Sequence, residues 1–451
     1  MNALPDEFRQ AMQEKLGTEF PKFLTSLNEP SPVSIRINQK KTAVLTADKP
    51  VWWSDLGKYL EVRPSFTLDP LFHAGAYYVQ EASSMFLEQA VRQATDLSQP
   101  INVLDLCAAP GGKSTHLLSL LSENSLLVSN EVIRSRASIL TENIQKWGYA
   151  NCIVTNNDPN DFQELEGFFD VIVIDAPCSG EGLFRKDPEA MQEWSPQNVS
   201  LCSARQKRIV SDAWPALKED GVLIYCTCTY NEQENEENLH WLQQQHAVEF
   251  IALNLHPSWN VEEVQKGKVT GYRFLPHRVK GEGFFISVIR KKGTQQPLRM
   301  KTKKNLVTAA RKLAGRVTPW IRSSESFSIL EHHDQLSFFL SEKLTEADVL
   351  RQHLKIITLG TALATVKHDK LIPEHALAMS VHLETGQFPS LIVDYEKAIH
   401  YLRRDTTPLE LAEKGFHLIK FENTPLGWIN SIGNRYNNLY PQEWRIRMAL
   451  R

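Results

Sequence analysis

The chain has no apolar stretch approaching the roughly 20 residues a helix needs to cross a bilayer, which excludes a helical membrane protein from the outset. Met1 to Phe20 is polar and lacks the apolar core of a secretion signal. Cysteine is scarce, six in 451 residues. Without a secretion signal, that usage points to reduced thiols and a cytoplasmic protein rather than to a disulfide framework. No two cysteines stand as Cys-x-x-Cys, which speaks against a structural zinc site, and no metal is expected. Net charge is slight, −3, so the chain as a whole lacks the basic excess of a nucleic-acid binder. Internal repeats and low-complexity segments are missing too.

What is present describes an ordinary globular chain, 42% apolar and 23% charged, long enough for two or more domains. Its charge is unevenly spread. Ten Lys or Arg and no Asp or Glu fall between Arg290 and Arg316, a stretch that reads as a solvated linker or a phosphate contact.

Residues 5 to 17 place Phe8, Met12 and Leu16 at helical spacing, with Gly17 as a C-cap. Val33, Ile35 and Ile37 alternate with polar residues, as in a half-buried strand. The rest of the segment to about Ser98 reads as irregular and rich in Pro and aromatics. From Ile101 the pattern becomes strand then helix, repeatedly. Strands are expected at 101–106, 125–130, 152–156, 170–174 and 221–226, with helices such as 113–121 and 134–147 between them. Such alternation predicts a doubly wound, Rossmann-like α/β domain. That domain should end near Lys292, after a hairpin around Gly281-Glu282-Gly283 and a strand over Phe284 to Ile289. The expected division is an N-terminal subdomain at 1–98, the α/β domain at 99–293 and a basic linker at 294–305. A mainly helical stretch at 306–388 (helices over 303–315 and 343–354) and a small β-rich tail at 389–451 complete it.

Two cysteines stand where strands end. Cys178 closes Asp175-Ala176-Pro177-Cys178 after the run Val171 to Ile174, and Cys228 sits in Thr227-Cys228-Thr229 after Val222 to Tyr225. If the two strands are neighbours, their carboxyl ends lie about 5 Å apart. Both thiols then face the crevice where open α/β sheets bind ligands. A thiolate is a strong nucleophile, so such a pair suits covalent chemistry. Cys107, Cys152, Cys202 and Cys226 read as packing residues. The acidic run Asn231 to Glu237 after Cys228 suits a helix start, yet its carboxylates could equally raise the thiol pKa, and the sequence leaves that balance open.

The first strand runs into Cys107-Ala108-Ala109-Pro110-Gly111-Gly112-Lys113. Small residues there let a ligand approach the backbone, and the following helix offers free N–H groups. Glu131 ends the second strand, 20 residues past Gly111, near the offset at which an acid meets ribose hydroxyls. Asp158 closes the third strand and Asp175 the fourth. Helix capping explains each acid singly; the set together favours a nucleoside-containing cofactor, since unpaired buried carboxylates are expensive.

Taken together, Leu104 to Lys113, Asp175 to Gly180 and Thr227-Cys228-Thr229 resemble the Sun-type RNA cytosine-5 methyltransferases, and Gly75 to Ser84 resembles that family's N-terminal cofactor-side segment. The likeness spans about residues 1 to 293. The tail, Leu426-Gly-Trp followed by Gly433-Asn-Arg435-Tyr-Asn-Asn438-Leu-Tyr-Pro441, is similar to the PUA-like domain of the RsmF/YebU branch, which modifies small-subunit (16S) ribosomal RNA. The resemblance implies S-adenosylmethionine as cofactor and 16S ribosomal RNA or the small subunit as partner. It implies Cys228 as the nucleophile at C6 of cytosine, Cys178 as the residue assisting release, and Asp175 at the pyrimidine edge. Residues 107–113, Glu131, Asp158 and Asp175 correspond to its cofactor-binding set, with Lys113 either positioning the site or capping a carboxylate.

A target cytosine must leave any stacked helix, so auxiliary RNA contacts are expected. Trp428, Arg435, Tyr436, Trp444, Arg445 and Arg447 are candidates to stack on or clamp RNA. Trp428 reads better as core, and Arg435, Asn437 and Arg445 as contacts. Three rival readings remain at this stage. They are a transfer RNA methyltransferase of the same family, a DNA-type enzyme using the cysteine after Pro177 as nucleophile, and a non-catalytic RNA-binding assembly factor.

Overall fold

The computed structural model describes residues 4–41, 49–293, 306–410 and 413–448. The basic linker expected at 294–305 lies outside the described residues. Helix Asp6–Leu16 opens the chain with Phe8 and Met12 buried, and Gly17 closes it at φ 48°, as its spacing predicts. An antiparallel sheet follows, ordered β2-β3-β1-β4, from β1 (Val33–Ile37), β2 (Lys49–Pro50), β3 (Gly57–Leu60) and β4 (Tyr77–Val79). Sequence reading found β1 alone. The other three are too short to display an alternation, so a segment expected to be irregular is in fact a small sheet.

β5 (Asn102–Asp105), β6 (Leu126–Asn130), β7 (Cys152–Thr155), β8 (Phe169–Asp175) and β9 (Leu217–Thr227) form the parallel centre of the main sheet. β10 (Val248–Phe250), β11 (Glu262–Lys266), β12 (Val269–Phe274) and β13 (Phe284–Lys291) extend it antiparallel beyond β9. The order β13-β9-β8-β5-β6-β7 reverses between β8 and β5, which makes that gap the topological switch point. Successive side chains bury on opposite faces. Val103, Val171, Val173 and Ile224 meet Leu117, Leu118 and Leu140 of helices Gly112–Leu120 and Arg134–Trp147. Leu104, Ile172, Ile174 and Leu223 meet Ile209, Val210 and Leu242 of helices Pro196–Ala213 and Glu236–Gln245. Layers on both faces explain why these strands read as continuous apolar runs.

The stretch 306–388 departs from expectation. Helices Arg311–Val317 and Leu344–His353 are present, but the segment is built on β14 (Phe327–His332), β15 (Gln335–Leu340), β17 (Thr361–Lys367) and β18 (Lys370–Pro373), paired in that order. Between them, β16 (Ile356–Leu359) pairs antiparallel with β7 and so joins the main sheet. The hairpins escaped notice because their turns place His333 and His368 at positive φ, 54° and 50°, where glycine or asparagine is the usual signal. The tail is β-rich, ordered β19 (Ser390–Ile392), β20 (Gly415–Phe421), β21 (Thr424–Ser431) and β22 (Tyr436–Asn438), with helix Tyr395–Arg403 packed on it. No described helix is long and apolar enough to cross a membrane.

Candidate functional site

The sheet brings together what the sequence places 50 residues apart. β8 and β9 are parallel neighbours in the register Asp175↔Cys226, and the Cys178 and Cys228 Sγ atoms lie 3.1 Å from each other just beyond the strand ends. Both thiols are partly exposed, whereas Cys226 is fully buried one pleat earlier. The two loops are interlocked through backbone. Gly182 N–H donates to the Cys228 carbonyl (2.9 Å), and Gly283 N–H to the Gly182 carbonyl (3.3 Å). A β-carbon on Gly182 would come within 2.4 Å of that Gly283 backbone, so only glycine permits the approach. The hydrogen bond with Cys228 and burial raise the pKa of Cys178 well above that of a free thiol.

Across the switch point lies the turn 107–113. Gly111 caps helix Gly112–Leu120 at φ 114°, a left-handed conformation suited to glycine. Arg136 Nη2 donates to the Ala109 carbonyl and Asn143 Nδ2 to that of Pro110, both at 2.8 Å, fixing the turn from the next helix. Lys113 is buried and its Nζ stands 2.7 Å from Asp175 Oδ2. Burial works against its charge, but the charge and hydrogen bond of Asp175, with the charges of Cys226 and Asp105, together outweigh burial and hold the ammonium protonated beyond the ordinary lysine range. Lys113 therefore ties the glycine turn 107–113 to the strand that leads into Cys178.

Glu131 is buried at the end of β6, where its Oε1 accepts from Ile133 N–H at 2.9 Å and Oε2 lies 3.5 Å from Arg136 Nη1. Asp158 follows β7 at the same edge but faces outward. It caps the short helix Pro159–Phe162 and meets Arg208 at 3.0 Å, and the Arg208 hydrogen bond lowers its pKa. For Asp158 the capping explanation describes what the side chain does.

Sequence reasoning passed over Asp105. It ends β5 fully buried, accepts from Ser114 Oγ at 2.6 Å, and among the described residues leaves Oδ1 without a partner. Burial, reinforced by the charges of Asp175 and Glu131, raises its pKa to about 7. An acid directly before the small-residue turn was the signal available. Arg36 was missed as well. It is fully buried, stacks 4.4 Å from the Trp147 ring and donates to Thr115 Oγ1 (2.6 Å) and Gln80 Oε1 (2.8 Å), which anchors the N-terminal sheet to the helix that carries Lys113.

In the tail, Arg435 and Asn437 are exposed and line a cleft of about 540 Å³ with Arg404, Asp405 and Thr407. Arg445 and Arg447 are exposed but are not among the residues lining that cleft. Trp428 is fully buried with its indole N–H on the Glu374 carbonyl (2.9 Å), and Trp444 packs on His375, so both serve the interior. Among the described residues, no group of three or more His, Cys, Asp or Glu is arranged to hold a metal ion.

Known proteins resemble this chain along nearly its whole length. The family described as 16S rRNA methyltransferase RsmB/F matches residues 94–290. The N-terminal domain of 16S rRNA methyltransferase RsmF matches 4–82, and the methyltransferase RsmF PUA domain matches 388–446. Ribosomal RNA small subunit methyltransferase F of Enterobacter sp. (strain 638) is 31% identical over 97% of this chain and 95% of its own length. The chain belongs to the ribosomal RNA small subunit methyltransferase F family. The protein of that name from Salmonella arizonae is 32% identical, again over 97% of this chain and 96% of its own. Among solved structures, a methyltransferase homolog protein from Pyrococcus horikoshii superposes with a TM-score of 0.52 at 25% identity, over 64% of this chain and 100% of the other. NSun6 from the same organism, solved with SFG, shares the fold at a TM-score of 0.51 and 18% identity, over 64% of this chain and 99% of its own.

Proposed function

We propose that this protein methylates C5 of cytosine in small-subunit (16S) ribosomal RNA with S-adenosylmethionine, through a covalent bond between Cys228 and C6. The observation that carries the reading is the 3.1 Å approach of two thiols at adjacent strand ends, across the switch point from a glycine turn at a helix N-terminus. Family membership supplies the methyl donor and the RNA class. The residues fit that donor: Gly111 and Gly112 stand at the helix N-terminus, Glu131 offers a buried carboxylate at the end of β6 for the ribose hydroxyls, and Asp105 has a buried oxygen without a partner among the described residues. We assign Cys107, Ala108, Ala109, Pro110, Lys113 and Asp175 to the same cofactor side, and Asp158, whose carboxylate caps Pro159–Phe162 and meets Arg208, to its outer rim.

S-adenosylmethionine supplies an electrophilic methyl group beside the target base. Cys228, as thiolate, forms the S–C6 bond and pushes an electron pair towards C5, which then takes the methyl group. Asp175, with the Lys113 ammonium beside it, meets the pyrimidine edge in this reading; the carboxylate accepts a hydrogen bond from the base and the ammonium offsets negative charge that grows on the ring during attack, so the pair's contribution is made in the transition state. After loss of the C5 proton to water, the C5–H electron pair restores the ring double bond and the S–C6 bond breaks. Cys178 assists by donating its thiol proton in a hydrogen bond to the departing sulfur.

The tail cleft with Arg435 and Asn437 offers a guanidinium and an amide to RNA outside the active site, with Arg445 as a separate contact. The division into 1–98, 99–293, 294–305, 306–388 and 389–451 follows the same reading, with β16 lending the fourth part an edge on the catalytic sheet. The test is to map 5-methylcytosine in 16S ribosomal RNA from cells with and without the protein. Loss of a methylated cytosine, restored by the wild-type chain and not by Cys228→Ala, is expected. An unchanged map, with no tritium transferred to naked RNA, subunits or precursors, would overturn the reading.

A further inference from the structure

The acidic segment after Cys228 contains one carboxylate that is treated differently from its neighbours. Glu232 lies 3.3 Å from Lys15 and 3.2 Å from Lys266, and Glu237 stands 3.9 Å from Lys266. Glu236 is paired with Arg273. Glu234, by contrast, is fully buried, and among the described residues it makes no ion pair. It is held by neutral donors alone: Ser179 N–H at 3.0 Å, Gln206 Nε2 at 2.8 Å and the Ser179 hydroxyl. A buried carboxylate without a cation is costly, so its place beside the thiol pair calls for a reason.

The geometry points to one. Gln206 Nε2 also donates to the Pro177 carbonyl at 3.0 Å, so the residues on both sides of Cys178 are gripped by the Glu234–Gln206 pair. Tyr225 Oη, on β9 below Cys228, donates to the Glu234 carbonyl at 2.6 Å, and Asn238 Nδ2 to Gln206 Oε1 at 2.7 Å. Ser179 Oγ lies 3.1 Å from Thr229 Oγ1, which joins the two cysteine loops again behind the sulfurs. We propose that Glu234 is a positioning residue that, through Ser179 and Gln206, sets Cys178 against Cys228 and decides which of the two sulfurs carries the attacking charge.

This rests on the reading of Cys228 as the nucleophile. A negative charge on Glu234 next to Cys178 disfavours a second one there, so Cys178 is the thiol that keeps its proton and Cys228 is the sulfur left to attack. The pKa directions agree. Cys178 is raised by its hydrogen bond with Cys228, by burial, and by the charges of Cys228 and Glu234. Glu234 is itself raised by burial, opposed by the donors from Ser179 and Gln206. The other titratable groups around the pair are Tyr225 from β9, Glu181 from the Cys178 loop and Cys202 from helix Pro196–Ala213; all three are raised, with burial as the largest cause in each. Burial raises Glu234 in the same direction, but Glu234 is the carboxylate that hydrogen-bonds Ser179 next to Cys178, and its charge is the one that acts on that thiol. With Cys178 protonated, its S–H points a hydrogen bond at the sulfur that must later leave C6.

The test is alkylation of the full-length protein by iodoacetamide between pH 6 and pH 9, without RNA, with each cysteine followed by peptide mass mapping. In the wild type Cys228 should react faster than Cys178 throughout. In Glu234→Gln the Cys178 profile should move on the order of one pH unit to lower pH, about tenfold in rate near neutrality. Equal reactivity of the two thiols in the wild type, which needs no variant to fold, overturns the proposal. So does a Cys178 profile unmoved in Glu234→Gln. Because this readout involves no methyl transfer, it separates from the reading above: a wild type that never methylates RNA but keeps the thiol contrast sinks the function and leaves the charge placement intact.

Discussion

Lys113 Nζ lies 2.7 Å from Asp175 Oδ2, which joins the first turn after β5 to the end of β8 across the switch point of the sheet. The pair links the glycine turn 107–113 to the thiol side, and on the proposed function its removal should affect chemistry more than folding. In Lys113→Gln, methyl transfer to RNA is expected to fall about 10²-fold or more, the scale of a lost transition-state contact. Cofactor affinity, measured by calorimetry, should change far less. A variant with full activity would assign Lys113 to stability alone.

Asp105 carries a buried oxygen with no partner among the described residues at the mouth of the 107–113 turn. Its pKa near 7 means that a cation or donor arriving there should drive off its proton. Cofactor binding near pH 7 is therefore expected to release protons, seen as a binding enthalpy that depends on the ionisation heat of the buffer. Asp105→Asn should abolish that dependence. Unchanged proton release in Asp105→Asn would contradict the assignment.

How much was legible follows from how each element is stabilised. The five central strands, the helices between them and both cysteines could be read because strands buried on two faces leave continuous apolar runs, and because a parallel sheet places its ligand side at strand ends. β14, β15, β17 and β18 were not legible, since their turns use His333 and His368 rather than glycine or asparagine. The pairing of β16 with β7 depends on a partner some 200 residues distant, which no local pattern encodes. At the site, Glu131 was read as a buried acid and is one, whereas Asp158 is a cap tied to Arg208. Glu234 was hidden among equally acidic neighbours until the fold showed which of them lacks a cation.

Two buried histidines, His73 and His116, and the half-buried His375, whose ring nitrogens are buried, should make the fold acid-sensitive. Burial, largest in each case, lowers His73 and His116 to about 4 and His375 to about 3; Lys146 also lowers His73 and His375. Each folded-state pKa lies below the ordinary histidine value, so folding holds the neutral form. Their contribution is full above pH about 6.5 and is lost as the pH falls towards 4, at about 1.4 kcal/mol per pH unit for each group. Urea unfolding midpoints measured from pH 7 to pH 5 should fall steadily, and His375→Phe, which removes a ring with two unpartnered nitrogens, should flatten the slope. A pH-independent midpoint over that range would refute this.

The tail offers a paired contrast. Arg435 is exposed in the cleft, so Arg435→Ala should leave unfolding unchanged, weaken RNA binding and reduce the salt dependence of affinity by about one ion. Trp428 is core, and Trp428→Ala should destabilise the protein by about 3–5 kcal/mol. Filter binding across a salt series and chemical unfolding check the two. Loss of RNA affinity from Trp428→Ala in a fully folded tail would reverse the assignment.

The most direct test of the central claim is denaturing gel electrophoresis with intact-mass analysis of Cys178→Ala incubated with 16S ribosomal RNA and S-adenosylmethionine. A covalent protein–RNA species that survives denaturation and maps to Cys228 is predicted, and it should vanish when Cys228 is also replaced by Ala. An adduct that forms in Cys228→Ala and maps to Cys178 would contradict the account and transfer the nucleophile's role to the other sulfur.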